Sequence, residues 1–104
     1  MATVRNLSPE ARTILYMMVF NNERSCWLMN NLAGAHELRV EGFFTLEESF
    51  NGALKYQLDY DVSRILQKNF SFLHRHMPDP ALSSAVTLSA KRASEAIQDR
   101  WMAF

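Results

Sequence analysis

The side chains best suited to chemistry in this 104-residue chain are one cysteine and three histidines, Cys26, His36, His74 and His76. Thiolate and imidazole are ligands that zinc prefers, and a cysteine beside a histidine can act as a nucleophile. On a helix, however, His74 and His76 point to different sides and cannot share one ion. Cys26 is adjacent to Trp27, as is typical of a buried structural thiol. We therefore expect neither a metal site nor a thiol enzyme.

Carboxylates offer no better candidate for catalysis. Thr45 and Glu48 have the spacing of a capping box, and Asp59 or Asp61 is explained as the N-cap of a helix. The chain has no phosphate-binding glycine loop, dinucleotide fingerprint, HExxH motif or nucleophile elbow, and it contains only three glycines. We expect a protein that is not an enzyme and that carries no cofactor.

The composition is that of a globular protein without net charge. Apolar residues make up 48% and aromatic residues 12%, while eleven basic side chains balance eleven acidic ones. This balance leaves no overall field that would attract nucleic acid or an anionic membrane. The longest apolar run, residues 14–20, is far shorter than the roughly 20 residues of a membrane span, and a single cysteine agrees with a reducing compartment. We expect one domain over residues 1–104, in the cytoplasm.

The first helix is marked by its start. Ser8 can cap it, Pro9 fits its first position, and the apolar pattern continues to Phe20. A buried strand over residues 13–20 is the alternative, because a short apolar run cannot be assigned by its period alone; the cap favours a helix. The second half is apolar nearly all round, which in a small chain indicates a subunit interface as well as an internal core.

Later patterns complete a mainly α fold, a small orthogonal bundle of four to five helices. Residues 23–33 fit a second short helix, and residues 37–41 fit one short extended segment. A third helix starts at Leu46, and an amphipathic helix covers residues 59–77. The two are either continuous or broken where the second begins, and the drift of a four-residue spacing favours the break. Pro80 opens the last helix.

Four side chains have two open interpretations each. Asn69 and His76 lie one heptad apart on the apolar face of the helix over residues 59–77. Either they bind a backbone carbonyl or water at a groove edge, or they fix helix register or belong to a partner-binding surface. Trp101 and Phe104 either pack on the chain's own core or enter a pocket on a partner.

The function expected from these features is regulation by protein–protein contact. The helices carry more aromatic and methionine surface than a small chain can cover alone. We expect a homodimer that inhibits or titrates another protein, such as a transcription activator. The inhibitory direction is inferred only from the small size and the lack of catalytic or DNA-reading features. The candidate partner-binding residues are Tyr16, Met17, Phe20, Trp27, Asn69, His76, Trp101 and Phe104.

The alternative function is DNA binding by a helix-turn-helix. The first helix, a turn at Asn21-Asn22 and the helix over residues 23–33 would supply the motif. The candidate recognition helix has a single basic residue, Arg24, and several large apolar ones. A recognition helix needs exposed side chains that read base edges. Nucleic acid is therefore not the partner that we expect.

Overall fold

The computed structural model describes residues 2–75 and 80–102. In chain order its elements are α1 (Ala2–Arg5), α2 (Pro9–Phe20), β1 (Ser25–Met29), α3 (Ala33–Val40), β2 (Phe44–Phe50), β3 (Ala53–Leu58), α4 (Tyr60–Lys68), α5 (Phe70–Arg75) and α6 (Pro80–Met102). The strands form an antiparallel sheet in the order β1-β3-β2. The fold is α+β, so the prediction of a mainly α bundle, and with it of an all-α protein, is wrong.

Helix α2 has the predicted bounds and lies at the centre of the fold. The Oγ atom of Ser8 accepts a hydrogen bond from the amide of Ala11 at 3.2 Å, which confirms the predicted cap. The helix packs against α3, α4, α5 and α6, so Ile14 and Met18 are buried. The chain's own elements therefore cover most of the apolar second half, and Phe20 is the exception.

Strands β2 and β3 replace the helix predicted to start at Leu46. They pair as a hairpin through Asn51 and Gly52, whose φ angles of 52° and 82° are both positive. Two positive φ values are the signature of a type I′ turn, whose twist matches that of the flanking strands. The motif that begins at Thr45 lies inside β2 and caps no helix. Pairing between the two strands outweighs the local capping signal.

The predictions on either side of β1 are also wrong. Residues 23–33, predicted as a helix, contain β1, and residues 37–41, predicted as extended, lie mostly in α3. β1 pairs with β3 along its whole length and is covered by α6. The amide of Met29 donates a hydrogen bond to Oγ of Ser89 on α6 at 2.9 Å. These partners are distant in sequence, so local propensity does not reveal them.

Helix α3 docks on the start of α2 through two carboxylates. Oε1 of Glu10 accepts from the amide of Gly34 at 2.6 Å, and Oε2 of Glu37 accepts from the amide of Ser8 at 2.9 Å. Each helix thus supplies a carboxylate to the positive amino-terminal end of the other. A Cβ atom on Gly34 would lie 2.8 Å from the amide nitrogen of Ala11, so glycine is required for this approach.

The helix predicted over residues 59–77 is two segments, α4 and α5, separated at Asn69. The Nδ2 atom of Asn69 donates a hydrogen bond to the carbonyl oxygen of Ile65 at 2.8 Å. A bond to a backbone carbonyl was the first of the two interpretations of this residue. A boundary does lie near residue 59, where β3 ends and α4 begins, but the element before it is a strand and not the predicted helix. Oδ2 of Asp59 accepts from the amide of Val62 at 3.1 Å and caps α4 as predicted.

Helix α6 begins at Pro80, as predicted, and is the longest element. The residues that it buries include the small side chains of Ser89 and Ala93, which let its backbone approach β1 closely. Neither α6 nor another helix within the described ranges has an apolar stretch long enough to cross a membrane.

Candidate protein-contact surface

Four ring side chains from α2 and α5 form a cluster on the protein exterior. We call it the aromatic surface; its members are Tyr16, Phe20, Phe70 and His74. The ring centroids of Tyr16 lie 5.4 Å from Phe70 and 5.9 Å from Phe20, and those of Phe20 and Phe70 are 6.4 Å apart. Phe20 is nevertheless 66% exposed. Exposed aromatic rings held in a cluster are typical of protein interfaces.

Helix geometry places these rings in register. Tyr16 and Phe20 are four residues apart on α2, and Phe70 and His74 are four residues apart on α5, so each pair shares one helix face. The two helices pack against each other, and the fully buried Leu73 anchors α5 to the core. The aromatic surface is therefore held by the core and is already formed in the free chain.

Two open clefts lie side by side on this surface, with Phe20 and Phe70 as their common wall. Their volumes are about 420 and 390 Å³. The larger is also lined by Tyr16, Ser71, His74 and Arg75. The smaller is also lined by Val19 and Gln67. Each cleft has room for an apolar side chain from another molecule.

Cationic side chains lie on the helices that form the clefts and beside them. We call them the cationic rim: Arg24, Arg64, Lys68 and Arg75. Arg75 lines the larger cleft. Arg64 and Lys68 are on α4, which also supplies Gln67 to the smaller cleft, and Arg24 lies against Tyr60 at the start of α4. Within residues 2–75 and 80–102, none of the four cations forms an ion pair. The rim is thus positive although the whole chain is neutral.

Two of these cations contact the ring of Tyr60. The guanidinium carbons of Arg24 and Arg64 lie 4.9 and 5.8 Å from the centroid of its ring, which is 55% exposed. Both contacts are within cation–π range. Asp61 lines a third cleft with Arg64 and Lys68 and offsets part of the charge. Residues 60–75 contain three cationic side chains, and Asp61 is the only carboxylate among them.

The structure brings together part of the predicted partner-binding set. Tyr16 and Phe20 belong to the aromatic surface, whereas Met17 lines a separate cleft of about 260 Å³ between α2, β1 and α6. Trp27 is half-buried on β1, and Asn69 is exposed at the end of α4. These three residues do not contribute to the aromatic surface.

The remaining predicted residues, His76 and Phe104, lie outside the described residues, as does the side chain of Trp101. Sequence reasoning missed Phe70 and His74. It treated residues 59–77 as a single amphipathic helix and considered His74 only as a possible metal ligand. The available signal was that both α2 and α5 carry an aromatic pair at a spacing of four.

Among the side chains first considered for chemistry, Cys26 has a buried thiol, and His76 lies outside the described residues. The Sγ atom of Cys26 lies 3.8 Å from Sδ of Met18, and burial together with the charge of Glu23 raises the pKa of the thiol to about 12. A protonated thiol is a poor nucleophile. Within the described ranges, no group of three or more His, Cys, Asp and Glu side chains could hold a metal ion.

Among the described residues, the aromatic surface and the cationic rim together form an exposed apolar patch next to unpaired cations. The chain matches no protein family model, and neither a curated protein nor a solved structure is significantly similar to it.

Proposed function

We propose that this protein is a non-enzymatic regulator that binds another protein through the aromatic surface. The observation that carries the proposal is the 66% exposure of Phe20 in contact with Tyr16 and Phe70. Fully burying a phenylalanine side chain contributes about 1.5–3 kcal/mol. A partner that covers Phe20 gains most of that free energy. Aromatic anchors seated in clefts carry a large share of binding energy at interfaces.

The proposed mode of regulation is occlusion. The protein would bind a surface that its partner needs for its own activity, and so inhibit or titrate it; a transcription activator is the kind of partner expected from the sequence. Pre-organised rings support this mode, because they lose little conformational freedom on binding. The free Cys26 supports a cytoplasmic location.

Two other uses of the chain compete with this proposal. The homodimer expected from the sequence would cover Phe20 with a second copy of the same surface. The DNA-binding alternative required a helix over residues 23–33, and β1 occupies that position. A photo-crosslinking experiment can distinguish self-association from binding to another protein.

A photo-crosslinking amino acid at position 20 tests the proposal in living cells. Val40 is the matched control position, because it is 68% exposed on a different helix, α3. We expect position 20, and not position 40, to crosslink to a different polypeptide, which mass spectrometry then identifies. Crosslinks from position 20 to this chain alone would show a homodimer instead, and crosslinks from neither position would contradict the proposal.

Binding of the identified partner is then measured with purified proteins. We expect Phe20→Ala to weaken binding about tenfold or more, as at interface hot spots. Val40→Ala should leave the affinity within about twofold, since isolated surface positions contribute little. The wild-type protein should inhibit the partner's activity, and Phe20→Ala should not. Equal binding by both variants would exclude the aromatic surface as the contact site.

A further inference from the structure

We infer that the segment bound by the aromatic surface is an acidic amphipathic helix of the partner protein. This inference rests on the proposed function and specifies its partner. The observations behind it are the paired clefts on the two sides of Phe20 and Phe70, and the cationic rim that has no ion-pair partner within the described ranges.

The shape of the surface calls for two neighbouring apolar side chains. The clefts share Phe20 and Phe70 as a wall, so one side chain can enter on each side of this ring pair. On a helix, side chains at positions i and i+4 are neighbours that point the same way. One face of a helix can therefore present an apolar side chain to each of the two adjacent clefts.

The elements around the clefts favour a helix over an extended strand. An extended peptide gains affinity by pairing its backbone with a free sheet edge. The clefts are formed by α2, α4 and α5, and no strand of the sheet lines them. A bound helix satisfies its own backbone and needs only side-chain contacts from the groove.

The unpaired cations of the protein indicate that the polar face of the bound helix is acidic. Arg64, Lys68 and Arg75 stand on α4 and α5 without an ion pair in the described ranges, and Asp61 offsets a single charge. Glutamate or aspartate beside the two apolar anchors would meet these cations. Such complementarity speeds association and excludes basic competitors.

A single-stranded nucleic acid is the other polymer that combines negative charge with stacking groups. It binds best where separate aromatic faces are open to successive bases. Here the ring of Tyr16 stacks with both Phe20 and Phe70, at interplanar angles of 20° and 18°. The rings therefore cover one another's faces in part, and the edges and the clefts are what a partner meets.

Two labelled helical peptides of about 16 residues test the inference. Both carry Leu at positions i and i+4, and the flanks carry Glu in one and Lys in the other. In anisotropy titrations at roughly 50 mM salt, we expect the acidic peptide to bind about tenfold more tightly, and to weaken when salt is raised to roughly 300 mM. Equal binding, preference for the basic peptide, or no binding by either would overturn the inference. So would tighter binding of a single-stranded oligonucleotide.

Charge reversal locates the contact on the protein. The double variant Lys68→Glu/Arg75→Glu should bind the acidic peptide about tenfold more weakly. Lys91→Glu/Arg92→Glu makes the same change at exposed positions of α6, outside the rim, and should bind within about twofold of the wild type. Equal losses from the two double variants would overturn the placement at the rim.

Two substitutions of Phe20 separate this inference from the proposed function, using the partner identified by crosslinking. We expect Phe20→Glu to lose more affinity than Phe20→Lys, because only the former adds a charge that repels an acidic helix. Equal losses would leave the contact surface intact and overturn the acidic helix. Wild-type affinity in both variants would overturn both proposals.

Discussion

The hydroxyl oxygen of Tyr16 lies 3.1 Å from Nδ1 of His74, although the two residues are 58 positions apart in the chain. Their rings are also in contact, with centroids 5.6 Å apart. The hydrogen bond joins α2 to α5 beside the stacked pair of Tyr16 and Phe70. The aromatic surface thus contains a polar contact as well as ring contacts.

Removal of the hydrogen bond between Tyr16 and His74 should lower stability only slightly. We expect Tyr16→Phe, which keeps the ring, to lower the free energy of unfolding by about 0.5–1.5 kcal/mol. In a His74→Leu background the same change should have almost no further effect, because the hydroxyl has already lost its partner. Urea denaturation of the four proteins in a double-mutant cycle measures this coupling. Additive losses would show that the hydrogen bond contributes no stability.

Gly34→Ala should destabilise the contact between α2 and α3. The added Cβ would lie 2.8 Å from the amide nitrogen of Ala11, which is backbone and cannot rotate away. Overpacking of this kind costs about 1–3 kcal/mol. Ala33→Ser changes the exposed neighbouring residue and should stay within about 0.5 kcal/mol in the same urea titration. Equal stabilities for the two variants would contradict the close approach.

Gly52→Ala should destabilise the hairpin. Gly52 has a φ of +82°, which costs a residue with a Cβ about 1–2 kcal/mol. Steric contact is a smaller factor, since the nearest atom to the new Cβ is the flexible Cε of Met29 at 3.3 Å. Thermal unfolding should show the loss, and Gly52→Asn, which tolerates positive φ better, should recover part of it. A wild-type melting temperature for Gly52→Ala would rule out the turn as described.

Cys26 should be unreactive in the folded protein. Burial, with the Glu23 carboxylate second, raises the pKa of its thiol from 9.0 to about 12. At roughly pH 8 the thiolate is therefore about a thousandfold scarcer than in the unfolded chain. Alkylation followed by mass spectrometry, with and without urea, measures the ratio of rates. Similar rates in the two states would contradict the burial of this thiol.

The raised pKa of Cys26 also makes the free energy of unfolding depend on pH in the alkaline range. The folded protein holds the thiol proton more tightly than the unfolded chain, so the contribution of Cys26 is present below pH 9.0 and lost as pH rises towards 12. Urea midpoints should therefore fall less steeply over this interval in Cys26→Ala than in the wild type. Parallel profiles would show that another group controls the alkaline transition.

Signals confined to a few neighbouring residues gave correct predictions. Ser8 and Asp59 cap helices through their own next turn, and Pro80 opens α6, so no distant partner is involved. The hairpin was also visible locally, in the Asn51-Gly52 pair. It was missed because the capping-box spacing predicted a helix and the Asn51-Gly52 pair was not interpreted as a turn.

Features that depend on distant pairing could not be predicted. β1 owes its conformation to β3 and α6, which follow it by some 25 to 60 residues. Tyr16 and Phe20 were identified as contact residues from the pattern of α2 itself. Phe70 and His74 were missed for the same reason as β1. Their place beside α2 depends on how α5 packs, and a helical period alone does not contain that information.

Ser89 has a consequence for assembly, because it binds the amide of Met29 on the outer side of β1. A strand from another molecule that approached this border would find that donor already occupied. At the opposite border the register of β2 shifts between Leu46 and Glu48, which bends the strand away from a flat template. We expect concentrated solutions to form no thioflavin-positive fibrils, and Ser89→Ala to make fibrils easier to seed.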